Sequence, residues 1–474
     1  MKTHLLRVRR TLLCYGPELL LSLLALYFAF RELGSFPEIW GDEGLFLVVA
    51  RSLADGRGYV LPTFTYQWPY PNILMVGPPL LLPVALSIRI LGFSMAAARL
   101  PMALYILGSC VLFYIFTKRA AGHSAARWAT GLLITLSAFV NTGKPVLGEV
   151  PGFFFLLLGL LALQGKRRPR NDILAGLAFG LAAVTKLTYG LALPALLAPW
   201  LIALVRRQWK ALSSVTVMGL TAALTLFLWT AFLFLHADLA REMNQFLLGN
   251  GGTELFVPLR QYLRDLVRFQ YVYFDVLLLL SLIGIWKLKP ALGWSMTAFI
   301  VTFIALNILH FVGPPTPPWY RYLLPAHLVL LPFVPTGARV VLHARLSAAL
   351  LAFFILAQGY WQWDHRGSRL ANAVATAAAE VVRSYKDTDL VVTEGEIFAL
   401  LPQDNPHWYF VTNELFRRTY DVFPSLPIRQ EQHCLPVVQR MAEEDILNTP
   451  PDRIKRLYGS YVVLEPPESC SRVR

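Results

Sequence analysis

The chain has 474 residues, 56% of them hydrophobic and 15% charged, with a mean hydropathy of +0.51. A soluble domain carries about a quarter charged residues, so a soluble globular enzyme is excluded, and apolar character spread along most of the length points to one large membrane unit. The 43 Lys and Arg exceed the 29 Asp and Glu by 14, but they fall in short clusters between apolar runs, which marks cytoplasmic loops and no nucleic-acid partner.

The first ten residues carry Lys2, Arg7, Arg9 and Arg10, and the apolar run at 11–30 has the length of one span of about 20 residues. It ends Tyr27-Phe28-Ala29-Phe30-Arg31-Glu32 with no small-residue cleavage site, so it reads as a retained anchor. The loop that follows, 31–96, contains Ile39-Trp40-Gly41-Asp42-Glu43-Gly44-Leu45-Phe46. Leu45, Val48, Val49 and Leu53 recur at helical spacing and predict a short amphipathic helix with Asp42 and Glu43 in its first turn. Two readings of that pair stand side by side. The acids could merely favour the positive helix end, worth about 0.3–1 kcal/mol, or, set at a membrane boundary, they could serve function.

The run at 73–93 contains Pro78, Pro79 and Pro83 and is expected to lie along the outer interface rather than to cross. Further runs occupy 97–117, 128–143, 151–164, 172–188, 190–205, 212–235, 274–286, 292–312, 321–335 and 346–362. Basic clusters at 118–127, 166–170, 206–210, 287–289 and 339–345 divide them in pairs. If each cluster is cytoplasmic, parity predicts about 11 spans, with the N-terminus in the cytoplasm and 31–96, 141–150, 236–273, 313–320 and everything after 363 outside. The expected fold class is therefore an all-α polytopic membrane protein, 1–363, followed by a small C-terminal α/β extracytoplasmic domain, 364–474. In that tail a helical run near 371–385 and alternating Leu390-Val391-Val392-Thr393 and Tyr461-Val462-Val463-Leu464 predict a helix and two strands, in a unit small for independent folding. Of the four cysteines only Cys434 and Cys470, both in the tail, are placed to pair.

Polar residues of the outer segments are the candidates for chemistry. Glu149 stands immediately before an apolar run with Pro151 in the next turn, so it reads either as a helix-start acid or as an acceptor or metal ligand. Arg321, between Tyr320 and Tyr322, is either a snorkelling interfacial anchor or an anion-binding guanidinium. His236, Asp238, Glu242 and His310 match no metal-ligand spacing. No metal is assigned, and a divalent cation stays open. Gly249-Asn250-Gly251-Gly252-Thr253 follows no strand and so does not read as a phosphate cradle; it leads into a second expected surface helix at 256–266.

Four segments in order carry a resemblance. They are Asp42-Glu43 with the following Ala50-Arg51-Ser52-Leu53-Ala54-Asp55-Gly56 and Pro78-Pro79-Leu80; Gly92-Phe93-Ser94 to Arg99-Leu100-Pro101; Lys144-Pro145-Val146-Leu147-Gly148-Glu149-Val150-Pro151; and Trp319-Tyr320-Arg321-Tyr322-Leu323-Leu324-Pro325. Over about 1–335 the chain resembles the GT-C glycosyltransferases, in the branch of the protein O-mannosyltransferases and the lipid A aminoarabinose transferase.

The resemblance implies a sugar donor on a polyprenyl phosphate, presented at the outer leaflet of a bacterial inner or plasma membrane, and an inverting transfer to a lipid, glycan or protein acceptor. It points to Asp42 as general base, a role worth typically 10²–10⁴-fold, with Glu43 orienting it or binding acceptor. Consecutive helix residues point about 100° apart, so the two acids are not expected to reach one atom. Arg321 is the first candidate for the donor phosphate, through two parallel hydrogen bonds, with Lys144 and Arg99 behind it. Tyr320, Tyr322 and Glu149 are candidates for acceptor or metal. The rival readings are a transporter or flippase, disfavoured because the spans are almost free of charge at mid-depth, and a GT-C-shaped polymerase or ligase of lipid-linked glycans. Lys186, near the outer end of its run, is the notable intramembrane charge.

Overall fold

The computed structural model describes residues 2–63, 66–69, 76–165, 168–233, 269–312, 320–363, 373–410 and 435–465. Cys434, Cys470, His236, Asp238, Glu242, Trp319 and the glycine-rich segment with its expected helix lie outside them. Helices dominate, and the apolar runs become helices in the expected places. α1 is Lys2–Phe30, α2 Gly41–Ala54, α3 Pro78–Leu91, α4 Met95–Thr135, α5 Ser137–Gly143, α6 Glu149–Gln164, α7 Pro169–Thr185, α8 Ala192–Ala195, α9 Leu197–Val205 and α10 Trp209–Leu233. The helices Phe269–Leu292, Trp294–Val312, Leu324–Leu330, Val334–Val341 and Ala344–Trp363 complete the bundle. Among the described residues, seven helical stretches are long and apolar enough to cross a membrane, and Tyr15–Phe30, Pro78–Leu91 and Glu149–Gln164 are shorter apolar helices, against the eleven crossings expected.

Local chemistry explains the breaks. α4 contains the basic cluster at 118–127, and its backbone turns at Gly122, whose φ of +86° suits glycine and strains other residues. α3 opens after Gly77 with Pro78 and Pro79, where a missing N–H costs nothing. At 14 residues it spans about 21 Å, short of a hydrocarbon core of about 30 Å. Leu80, Leu81, Val84 and Ile88 are buried while Leu82, Leu86 and Ile90 are exposed, so α3 packs on the protein by one apolar face and offers the other outward.

β1 Val60–Thr63 and β2 Tyr66–Pro69 pair antiparallel after α2, and the tail forms a five-stranded sheet in the order β4-β3-β5-β7-β6, with β3 Leu390–Val392, β4 Trp408–Phe410, β5 Val437–Arg440, β6 Ile454–Tyr458 and β7 Tyr461–Leu464. β3 pairs in parallel with β4 and β5, and β7 antiparallel with β5 and β6. Helix Ala373–Ser384 and strands β3 and β7 stand where the sequence placed them.

The core of this sheet is not its own. Val391, Val392, Ile397, Phe398 and Phe410 belong to one buried cluster with Phe46, Leu47, Val48 and Val49 of α2 and Leu80, Leu81 and Val84 of α3. The segment 41–91, with α2 and α3, is the second half of the tail's hydrophobic core. This corrects the reading of α2 as an amphipathic surface helix, because Phe46 to Ala50 are all buried. Elements more than three hundred residues downstream cover the face that local periodicity left to solvent.

Candidate active site

α2 enters the site from Trp40, and the divergence of neighbouring helical side chains sends its two acids to different partners. Glu43 is fully buried and forms a double hydrogen bond with Arg99 near the start of α4, Nε to Oε1 at 2.7 Å and Nη2 to Oε2 at 2.6 Å. Its Oε1 also accepts the Val146 N–H at 2.9 Å. Arg99 uses Nη1 to donate to the carbonyls of Leu33 and Pro37 at 3.3 and 2.8 Å. This pair ties α2, α4, the connector 31–40 and the segment before α6 into one rigid corner. Burial pairs the two groups with each other, an arrangement that fits the orienting half of what was expected of Glu43 and leaves Arg99 facing Glu43 rather than an open surface.

Asp42 faces the other way and is 38% exposed. Its Oδ2 accepts from Arg321 Nη1 at 2.7 Å across 279 positions of sequence. Arg321 sits on the single turn Tyr320–Tyr322, held by Pro325 opening the next helix. Its Nη2 donates to the Tyr322 hydroxyl at 3.3 Å, and its guanidinium lies 4.5 Å from the Trp40 ring centroid and 5.1 Å from that of Tyr322. Burial works against the guanidinium charge, but the carboxylates of Asp42 and Glu149 outweigh it and hold Arg321 above its ordinary pKa.

Glu149 is buried in the first turn of α6, with Oε1 3.3 Å from Lys186 Nζ at the end of α7. The Tyr189 hydroxyl donates to the Glu149 carbonyl at 2.6 Å and fixes the start of the helix. Neither Glu149 carboxylate oxygen has a conventional hydrogen bond, so the electrostatic partners of this acid are Lys186 and Arg321. The structure thus brings Asp42, Arg321, Tyr322 and Glu149 together and adds Lys186 and Trp40. Lys186 is visible in the sequence as a charge within an apolar run. Trp40 is visible only as the neighbour of the acid pair.

Lys144 is placed elsewhere. It is 3% exposed, its Nζ donates to the Arg31 carbonyl at 2.8 Å, and burial pushes its amine down to about 8. The Tyr320 hydroxyl is hydrogen-bonded to His327 Nδ1, which turns it away from Asp42 and anchors the Arg321 turn to the following helix. Among the described residues no cluster of three or more His, Cys, Asp or Glu is arranged to hold a metal.

One acid, one guanidinium and aromatic walls at the junction of α2 with the turn Tyr320–Tyr322 form the geometry with which known proteins compare. Residues 77–231 match the family model for dolichyl-phosphate-mannose-protein mannosyltransferase. The chain superimposes on ArnT from Cupriavidus metallidurans in the apo state with a TM-score of 0.64 at 15% identity, over 96% of this chain and 99% of that one. The chain shares the fold of ArnT, and about a third of it matches the mannosyltransferase family model.

The likeness of fold extends to ArnT bound to undecaprenyl phosphate, at a TM-score of 0.59 and 14% identity over 96% and 99% of the two chains. It extends also to the archaeal oligosaccharyltransferase AglB from Archaeoglobus fulgidus in complex with an inhibitory peptide and a dolichol-phosphate, at a TM-score of 0.59 and 11% identity over 84% of this chain and 64% of that one. No curated protein matches by sequence. With seven helices able to cross a bilayer and this fold, the chain is a multi-pass integral membrane protein.

Proposed function

We propose that the protein is an inverting glycosyltransferase that moves one sugar from a polyprenyl-phosphate donor to an acceptor on the outer face of the membrane. The observation that carries this is the Asp42–Arg321 contact at 2.7 Å, which sets a carboxylate from the first loop beside a guanidinium from a late turn. Two solved structures of the same fold, ArnT with undecaprenyl phosphate and AglB with dolichol-phosphate, supply the donor chemistry by analogy. The acceptor is a lipid, a glycan or a protein.

In this reading Asp42 takes the proton of an acceptor hydroxyl as its oxygen forms the new bond to the anomeric carbon. The bond from that carbon to the donor phosphate oxygen breaks, and the electron pair leaves on the lipid phosphate. Arg321 binds the phosphate and stabilises the charge it gains, and Lys186, paired with Glu149 at 3.3 Å, adds a second cation through that acid. Without donor, Arg321 is engaged by Asp42. An arriving phosphate that takes the guanidinium fork leaves the Asp42 carboxylate free to accept from the acceptor hydroxyl.

The test is transfer from a defined polyprenyl-phosphate sugar by the full chain reconstituted in vesicles. Asp42→Asn is expected to lower turnover by about 10²–10⁴-fold with its unfolding midpoint close to that of the native chain, because the side chain is partly exposed. Near-native turnover by Asp42→Asn ends the assignment of the base.

A further inference from the structure

At the far end of α6 and α7 from the Glu149–Lys186 pair, three helix hairpins meet. α6 turns into α7, α9 into α10, and Phe269–Leu292 into Trp294–Val312. Because α6 has 16 residues, this corner lies about 24 Å along the helix from the proposed active site. Between the hairpins is a cavity of about 210 Å³, lined among others by Asn171, Asp172, Arg206, Gln208, Ser214 and Trp294. That is below the roughly 300–1,000 Å³ of pockets that enclose a whole drug-sized ligand, and it suits a headgroup.

Three observations identify the kind of headgroup. The segments at these turns carry Arg168 and Arg170, three basic residues in 206–210 and two in 287–289, with Asp172 as the acid beside them. The Asp172 carboxylate is already engaged, its Oδ1 accepting the Ser214 hydroxyl at 2.7 Å. Two of the cations converge on one ring. The Arg206 guanidinium lies 4.6 Å and the Lys289 ammonium 3.1 Å from the centroid of Trp294, and Lys289 is also 4.8 Å from Trp286. Neither cation has a carboxylate partner among the described residues, so two like charges are held together by aromatic faces without an anion between them.

The third observation is depth. Trp209, Trp286 and Trp294 are all exposed around this corner, and exposed tryptophans of membrane helices gather at headgroup level. Leu201, Leu204 and Val205, also exposed, continue from the cavity along α9 as an apolar surface.

We infer that this cavity binds the phosphodiester headgroup of an anionic phospholipid, with Arg206, which lines it, on the phosphate, Lys289 adding charge from its place on the Trp294 ring, and an acyl chain along α9. Basic pockets between membrane helices take anionic lipid heads in this way. The apolar surface running from the mouth favours a lipid over a free anion, which has no use for it. The site is independent of the chemistry proposed at Asp42.

The full chain, purified in neutral detergent, is titrated with short-chain phosphatidylglycerol, phosphatidylcholine of the same chains, and inorganic phosphate, with native mass spectrometry reading bound lipid. Phosphatidylglycerol is expected to bind about tenfold or more tighter than phosphatidylcholine. Arg206→Gln with Lys289→Gln should bring the two within about twofold. The charge-conserving Arg206→Lys with Lys289→Arg should keep most of the preference, and Asp172→Asn, which can still accept from Ser214, should raise it. Equal binding of the two lipids by the native chain, an undiminished preference in the double Gln variant, or inorganic phosphate binding as tightly as phosphatidylglycerol overturns the inference.

Discussion

Glu43 separates two accounts of the acid pair, one in which it touches substrate and one in which it holds the loop. Glu43→Gln preserves shape and leaves an acceptor for the Val146 N–H, but it leaves the Arg99 charge without a counter-ion at a position 1% exposed. Breaking a buried ion pair from one side costs about 3–5 kcal/mol, against a total stability of about 5–15 kcal/mol for a typical domain. The variant should therefore unfold markedly earlier in a thermal scan followed by tryptophan fluorescence in detergent.

Glu43→Leu combined with Arg99→Met removes both charges and should recover much of the loss, since an apolar pair of similar volume often matches a buried ion pair. Recovery stays incomplete because the Val146 N–H loses its acceptor, worth about 1–3 kcal/mol, and the carbonyls of Leu33 and Pro37 lose their donor. The refuting result is Glu43→Gln with a native midpoint and lost transfer. That outcome would put Glu43 in the reaction and not in the scaffold.

Three further outcomes are expected. Arg321→Lys keeps a cation for Asp42 but loses the second nitrogen that reaches Tyr322, so the KM for the polyprenyl-phosphate donor should rise about tenfold or more while acceptor KM changes little. Gly44→Ala puts a Cβ 2.2 Å from the Glu396 nitrogen and 2.3 Å from the Gly395 carbonyl carbon. Both are backbone atoms that no rotamer change can clear, so the overpacking should cost about 1–3 kcal/mol or more and open 373–465 to limited proteolysis. Lys144 gives a pH signature. Its folded amine is held near 8 against an ordinary 10.5, so between those values the unfolded chain binds a proton that the folded chain does not. Stability should then rise with pH from about 8 to 10.5, by less than about 1.4 kcal/mol per unit, and Lys144→Met should remove that slope from the unfolding midpoint.

The helical segments were legible in the sequence because they depend on local runs. The apolar runs and the proline-broken segment at 78–91 needed no knowledge of distant residues, and the helix at 373–384 and strands β3 and β7 announced themselves by period. Sidedness of α2 was not legible. Leu45, Val48, Val49 and Leu53 describe one apolar face, and what fills the other face is a helix at Gly395–Leu400 that approaches through Gly44. The pairing of Glu43 with Arg99 was hidden for the same reason. Both residues were recognisable as polar groups at helix starts, but a burial of 0–1% is a property of the assembled corner and not of either segment.

The two adjacent acids make sense as a division of labour imposed by that corner. A carboxylate that must meet a mobile acceptor needs partial exposure, yet the helix carrying it has to stay fixed to within a fraction of an ångström for a proton transfer to be efficient. Glu43 fixes the helix from inside through Arg99 and Val146, while from the opposite side Arg51 Nη1 donates to the carbonyls of Ala399 and Leu401 at 2.6 and 2.7 Å. α2 is clamped by the membrane bundle at one end and by the C-terminal sheet domain at the other. The sheet domain is therefore part of what positions Asp42, and loosening it through Gly44→Ala should lower transfer as well as stability, whereas a change confined to the exposed β6 edge should leave both intact.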